Sequence, residues 1–173
     1  MPVQASPELN RIFETCTEET LSQRDSQLVA LAAQLVLCDT VHAVQTLALA
    51  RKAGATLAEI LCAACHSACV SGPMAEASLV SILGDEKVGR EPFSTAVEQA
   101  LDEKTDHLVS LAACLAAGCD CAAGHIVAAR AAGASEAELA RAACIATCVA
   151  GDINKWRFGA ALQCAEGQEA CVC

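Results

Sequence analysis

Aromatic side chains are nearly absent from this chain: its 173 residues include one Trp, three Phe and no Tyr. A core without large rings must be assembled from Ala, Leu, Val and Cys, and 54% of the residues are apolar. Such small side chains let helices approach closely, which favours helical packing over a sandwich of β-branched and aromatic strands. Basic residues are scarce as well. Eleven Lys and Arg against 21 Asp and Glu leave a formal net charge of −10. That balance argues against nucleic acid, whose phosphates need clusters of Lys and Arg, and against an anionic membrane surface. Long apolar runs are missing too: none approaches the roughly 18 residues of a membrane-spanning helix. The first residues, Met1–Glu8, have neither the basic region nor the apolar segment of a secretion signal. The expectation is one all-α domain, residues 1–173, in the cytoplasm.

Cysteine, by contrast, is abundant, at 13 residues. A secreted disulfide scaffold would carry an even count, a signal sequence and many loops. An odd count, mostly within helical patterns, points to a reducing compartment where cysteines are core residues, redox groups or metal ligands.

The chain repeats itself. Leu28-Val29-Ala30-Leu31-Ala32-Ala33 matches Leu108-Val109-Ser110-Leu111-Ala112-Ala113, and Ala50-Arg51-Lys52-Ala53-Gly54-Ala55-Thr56 matches Ala129-Arg130-Ala131-Ala132-Gly133-Ala134-Ser135. Ala64-Cys65, Cys69-Val70 and Gly72 match Ala143-Cys144, Cys148-Val149 and Gly151. The offset falls by one residue between Leu108 and Gly133, so copy two has lost one residue there. Copy one spans about 22–83 and copy two about 102–163, with a mobile cysteine-containing tail at 164–173. Each copy reads as three helices. Thr56 and Ser135 begin the third, with Glu59 and Glu138 at capping-box spacing, and Gly72-Pro73 and Gly151 close it. A leading helix from Pro7, a connector from Gly84 to Glu91 and a short helix near Phe93–Leu101 complete the reading.

The segment Gly118-Cys119-Asp120-Cys121-Ala122-Ala123-Gly124-His125 carries the sharpest chemical signal. Both cysteines fall at a break between helices, with the next helix expected near Asp120. A helix N-terminus stabilises negative charge, which favours thiolate over thiol. His125 lies four residues past Cys121, on the same helical face, where it can accept the thiol proton or stabilise the thiolate. The plainer alternative is two structural cysteines beside a solvated histidine.

From Lys104-Thr105-Asp106-His107-Leu108-Val109, through Cys119, Cys121 and His125, to Ala132-Gly133-Ala134 and Glu138, the chain resembles the AhpD-like branch of the carboxymuconolactone decarboxylase family. The resemblance covers about residues 22–162. It implies an all-helical homo-oligomer, with a trimer favoured, that passes electrons through a dithiol and needs no cofactor. Peroxide or a disulfide would be the substrate and a thiol protein the reductant. The resemblance makes Cys121 the attacking thiol, Cys119 its partner and His125 the base. The branch carries Cys-x-x-Cys-x-x-x-His, whereas this chain has Cys-x-Cys-x-x-x-His. Where the branch places a relay glutamate stands His107, with Asp106 beside it. In copy one, Asp39, His42 and Thr46 stand opposite Cys119, Cys121 and His125, so that copy is expected to be structural.

Other cysteine groups suggest a different class, a metal-binding protein. Cys65 and Cys69, and their repeat equivalents Cys144 and Cys148, share helix faces as paired ligands do. Were the two helices to pack together, four thiols could hold zinc or an iron–sulfur centre, with Cys62 and His66 adding ligands. The simpler reading makes them small core residues. Cys171 and Cys173 form a terminal pair that could relay electrons or capture a soft metal such as copper(I). Cys16 and Cys114 read as core, and Trp156 as an anchor for the last helix or an oligomer contact.

Overall fold

The computed structural model describes residues 18–83, 100–151, 158–159, 161–162 and 164–166. Over residues 18–151, among the described residues, a 3-10 turn at Glu18–Thr20 precedes seven helices: α1 Gln23–Val36, α2 Thr40–Lys52, α3 Leu57–Ser71, α4 Pro73–Leu83, α5 Glu103–Ala117, α6 Ala122–Ala131 and α7 Glu136–Ala150. The architecture is all-α, with no strand among the described residues. No helix there is long and apolar enough to cross a membrane.

The repeat is visible in three dimensions. Leu28, Leu31 and Leu35 of α1, and Leu108, Leu111 and Leu115 of α5, are among the largest fully buried side chains. Their i, i+3, i+7 spacing puts each trio on one helical face. Burial of each such side chain is worth about 1.5–3 kcal/mol. The helices α1 and α5 pack against each other, and each also packs on the third helix of both copies, α3 and α7. They therefore form the centre of the bundle, which explains why Ala32, Ala33, Ala112 and Ala113 are buried between the leucines. Around them, α2 leans on α1 and α4, and α6 on α5 and α7.

Local chemistry fixes the helix starts in parallel. Ser22 caps α1 by accepting from the Asp25 N–H (3.0 Å), and Asp102 caps α5 by accepting from the Thr105 N–H (3.1 Å). Both expected capping boxes are present, Thr56 with Glu59 and Ser135 with Glu138. Each box glutamate also receives a cation from the copy's first helix: Arg24 reaches Glu59 (2.9 Å) and Lys104 reaches Glu138 (2.7 Å).

Several expectations are corrected. Gly72 closes α3 as expected, but the chain does not pause there: Pro73 opens a further helix, α4, at once, because proline fits the first turn of a helix, where no N–H partner is needed. The helix after the cysteines begins at Ala122, with Cys121 as its cap residue. The segment expected to be a tail from 164 is helical through Glu166, and Phe158, Ala161, Leu162 and Ala165 are buried at i, i+3, i+4, i+7 spacing. Near the expected Phe93–Leu101 helix, Ala100 and Leu101 form a bend, and the rest lies outside the described residues, as do the helix from Pro7, the connector, Cys16, Trp156, Cys171 and Cys173.

Candidate functional site

The joint between α5 and α6 holds the two cysteines. Gly118 leaves α5 in the left-handed region (φ 75°), and the Cys119 N–H turns back to the Cys114 carbonyl (2.9 Å). The chain then enters α6, and the Cys121 N–H donates to the Cys119 sulfur (3.4 Å). Cys121 makes no side-chain capping bond of its own. Both thiols are half-buried against the core. One turn on, the His125 N–H donates to the Cys121 carbonyl (3.3 Å), which confirms that Cys121 and His125 follow each other up the same helix.

The His125 ring meets His107 of α5. Their Nδ1 atoms lie 3.4 Å apart, with ring centroids at 5.6 Å and planes tilted by 46°. One of these nitrogens must donate and the other accept. Burial, followed by the charges of His107 and His66, pushes the His125 pKa below its ordinary value, against the pull of Asp106.

A second polar group lies beside the first, where α3 of copy one packs on α5 of copy two. His66 Nε2 is 2.7 Å from Asp106 Oδ1, and its Nδ1 is 2.9 Å from Ser110 Oγ. Ser110 Oγ in turn donates to the Asp106 carbonyl (2.9 Å). The Cys62 sulfur lies 3.7 Å from His66 Nε2 and 3.6 Å from Asp106 Oδ1. Burial, then the charge and hydrogen bond of Asp106, push the Cys62 thiol up to about 12. Burial works against the Asp106 charge, yet the hydrogen bond and charge of His66, the Cys62 thiol and the charge of His107 hold its pKa below the usual carboxylate value.

Of the residues singled out from sequence, His107 and His125 come into contact, and Cys119 meets the backbone of Cys121. The four thiols of Cys65, Cys69, Cys144 and Cys148 do not gather: α3 and α7 are not a packed pair, and no metal-sized group among the described residues includes them. Cys69 and Cys148 are exposed, so the core-filling role expected of them fails, whereas Cys65 is half-buried and packs against the core. Cys114 is buried as expected. What sequence reasoning missed is the meeting of Cys62 and His66 with Asp106 and Ser110. A signal was present, since Cys62-x-x-x-His66 has the same spacing as Cys121-x-x-x-His125 and Ser110 lies one turn past Asp106. That the two turns face each other depends on how α3 crosses α5.

Fold and joint together define an internally duplicated helical protein with a cysteine–histidine centre in its second copy. The sequence model of the carboxymuconolactone decarboxylase family matches residues 90–166, which contain that centre, so the second copy is similar to that family. No curated protein matches the sequence.

Proposed function

We propose that the protein is a thiol–disulfide oxidoreductase, able to reduce peroxides, in which Cys121 attacks, Cys119 resolves, His125 takes the thiol proton and His107 relays it. One arrangement carries this reading: two thiols at the start of α6, with a half-buried histidine one turn on that touches a second histidine. A histidine whose pKa is pushed down is neutral near pH 7 and works as a base. This differs from an imidazolium that merely sits beside a thiolate.

The chemistry balances without a cofactor. His125 accepts the Cys121 proton, and the thiolate attacks the outer oxygen of a hydroperoxide. The O–O bond breaks, leaving a sulfenic acid on Cys121 and an alkoxide that recovers the proton to leave as alcohol. Cys119 then gives up its thiol proton and attacks the Cys121 sulfur, the S–O bond breaks, and the departing hydroxide takes that proton to leave as water as the Cys119–Cys121 disulfide forms. With a disulfide substrate, Cys121 attacks one sulfur and expels the other as thiolate, and Cys119 resolves the mixed disulfide. A dithiol reductant, such as a thiol protein, returns both cysteines to thiols. The likeness to the AhpD-like branch adds a homo-oligomer, with a trimer favoured, and the cysteine-rich composition suits a cytoplasmic setting.

Peptide mapping after one equivalent of hydroperoxide tests the proposal. The expected result is the loss of two free thiols and a Cys119–Cys121 disulfide. If neither residue enters any disulfide, the reading is wrong.

A further inference from the structure

Cys62, His66 and Asp106 each present one ligand atom, all within 4.8 Å of one another. Their types, one thiol, one imidazole and one carboxylate, are those that bind a borderline-soft divalent ion, and three protein ligands leave a fourth position for water. The packing of the fold does not call for the set. At the repeat-equivalent positions stand Arg141, Ile145 and Ser26, with Ala30 in place of Ser110, and that side of the bundle packs in the same way. There Ser26 Oγ and Arg141 Nε are buried without a hydrogen-bond partner.

We propose that Cys62, His66 and Asp106 form a binding site for one zinc-class divalent ion at the seam between the two copies. The sulfur edges already fit: in a tetrahedral zinc site, S···N and S···O separations are about 3.5 Å, against 3.7 and 3.6 Å here. The N···O edge of such a site is about 3.3 Å, so the 2.7 Å contact of His66 with Asp106 opens by roughly half an ångström on binding.

The hydrogen bonding also sets the correct nitrogen. Ser110 Oγ gives its proton to the Asp106 carbonyl and so accepts from the His66 Nδ1–H. Nε2 is left to face Asp106 and Cys62. Ligating histidines are oriented in this way by a partner on the other ring nitrogen. An ion bound there is ligated by His66 Nε2, the Asp106 carboxylate and the Cys62 sulfur, the thiol giving up its proton as it ligates.

The ion joins α3 of copy one to α5 of copy two. Asp106 precedes His107 in the chain, so the ion holds the α5 segment that presents His107 to His125. Binding to the folded chain alone stabilises it by mass action.

The test is cobalt(II) titration of reduced, metal-free full-length protein carrying Cys119→Ser and Cys121→Ser, so that the dithiol does not compete. One equivalent should give tetrahedral d–d absorption with a thiolate-to-cobalt charge-transfer band. Zinc should displace the cobalt and raise the melting temperature, and loading the metal-free protein should release protons. Adding Cys62→Ala or His66→Gln should remove the band and the thermal shift. His66→Gln, at a partly exposed side chain, keeps the proposal testable if Cys62→Ala does not fold. Absence of the band, or its survival in both variants, overturns the site. Oxidation of Cys119 and Cys121 is read separately on the unsubstituted protein, so failure of the metal site leaves the dithiol reading standing, and the reverse also holds.

Discussion

The two copies join their first and second helices in nearly the same way and then part. In both, the joint turns back by the same backbone bonds: Asp39 N–H to the Gln34 carbonyl and Cys119 N–H to the Cys114 carbonyl, each 2.9 Å. In copy one, the Asp39 carboxylate then caps α2, accepting from the His42 N–H (3.3 Å) and pairing with the His42 ring (2.7 Å). In copy two, the Cys119 sulfur takes the place of that carboxylate, accepting from the Cys121 N–H (3.4 Å). The step from the accepting side chain to the N–H it takes is three residues in copy one and two in copy two, so the residue missing from copy two is lost at this joint. A capping position that a carboxylate serves structurally has become a place for sulfur. The scaffold is shared, and the chemistry comes from what occupies one turn.

The comparison breaks most visibly if the dithiol is not where the activity lies. Cys121→Ser should lower single-turnover reduction of a hydroperoxide or model disulfide by at least about 100-fold, since the nucleophile itself is lost. Cys119→Ser should leave the first oxidation largely intact and block disulfide formation. Cys38→Ser, in the matching joint of copy one, should change neither. Equal, small losses for Cys119 and Cys121 would move the chemistry to another cysteine.

The histidine pair sharpens the contrast, because Thr46 stands opposite His125. His125→Ala should slow alkylation of the reactive thiol near neutral pH, and His107→Ala should slow turnover, by about 100-fold or more where acid–base assistance is lost. A stability effect follows from the sign of the His125 shift. The unfolded imidazole takes up a proton near its ordinary 6.5, while the folded one resists to lower pH. The folded state binds fewer protons there, so its stability is full above that value and falls as pH drops through it. Asp102 and Glu138, held below their ordinary 3.8 and 4.5, lose their contributions only in more acid solution. Urea midpoints at pH 7.5 and 5.5 should therefore differ for the wild type and differ less for His125→Gln. An unchanged difference would mean that His125 is not held neutral.

Much of the scaffold was readable from sequence because it depends on local signals. The leucine spacing of α1 and α5, the two capping boxes and the single-residue loss between Leu108 and Gly133 each leave a trace in a short window. Pro73 was also legible, but a glycine followed by proline suits a helix end and a helix start alike, and only packing on α1, α2 and α3 decides for the start. The buried face from Phe158 to Ala165 was missed because alanine marks it weakly. For the site, the Cys119–Cys121–His125 order is local and showed itself. The seam set is different: Cys62 and His66 lie about 40 residues from Asp106, and their convergence is a property of the α3–α5 crossing.

The glutamates of the capping boxes test whether the copies are equal where they look equal. Glu59→Ala and Glu138→Ala each remove a box and a cation partner. Each should cost about 1 kcal/mol for the cap, with at most a fraction of a kcal/mol more for the partly exposed Arg24 or Lys104 pair. Chemical denaturation should show similar losses. A loss confined to one copy would show that the copies share a pattern but not a load.

The smallest expected effect comes from the joint itself. Gly118 turns the copy-two joint at φ 75°, and Cys38, its equivalent in copy one, holds φ 56°. It is the one described non-glycine residue with positive φ. A side chain in the left-handed region meets the following carbonyl, at a cost of about 1 kcal/mol or somewhat more. Cys38 is exposed, so little packing offsets that cost. Glycine removes the strain but leaves the unfolded chain with more freedom to lose, which returns part of the gain. Cys38→Gly should therefore stabilise the protein by roughly 0.5–1 kcal/mol, seen as a higher urea midpoint at unchanged slope, with the oxidation of Cys119 and Cys121 unaltered. A destabilised variant would mean that the Cys38 side chain holds the copy-one joint, and the view of that joint as merely structural backbone would have to change.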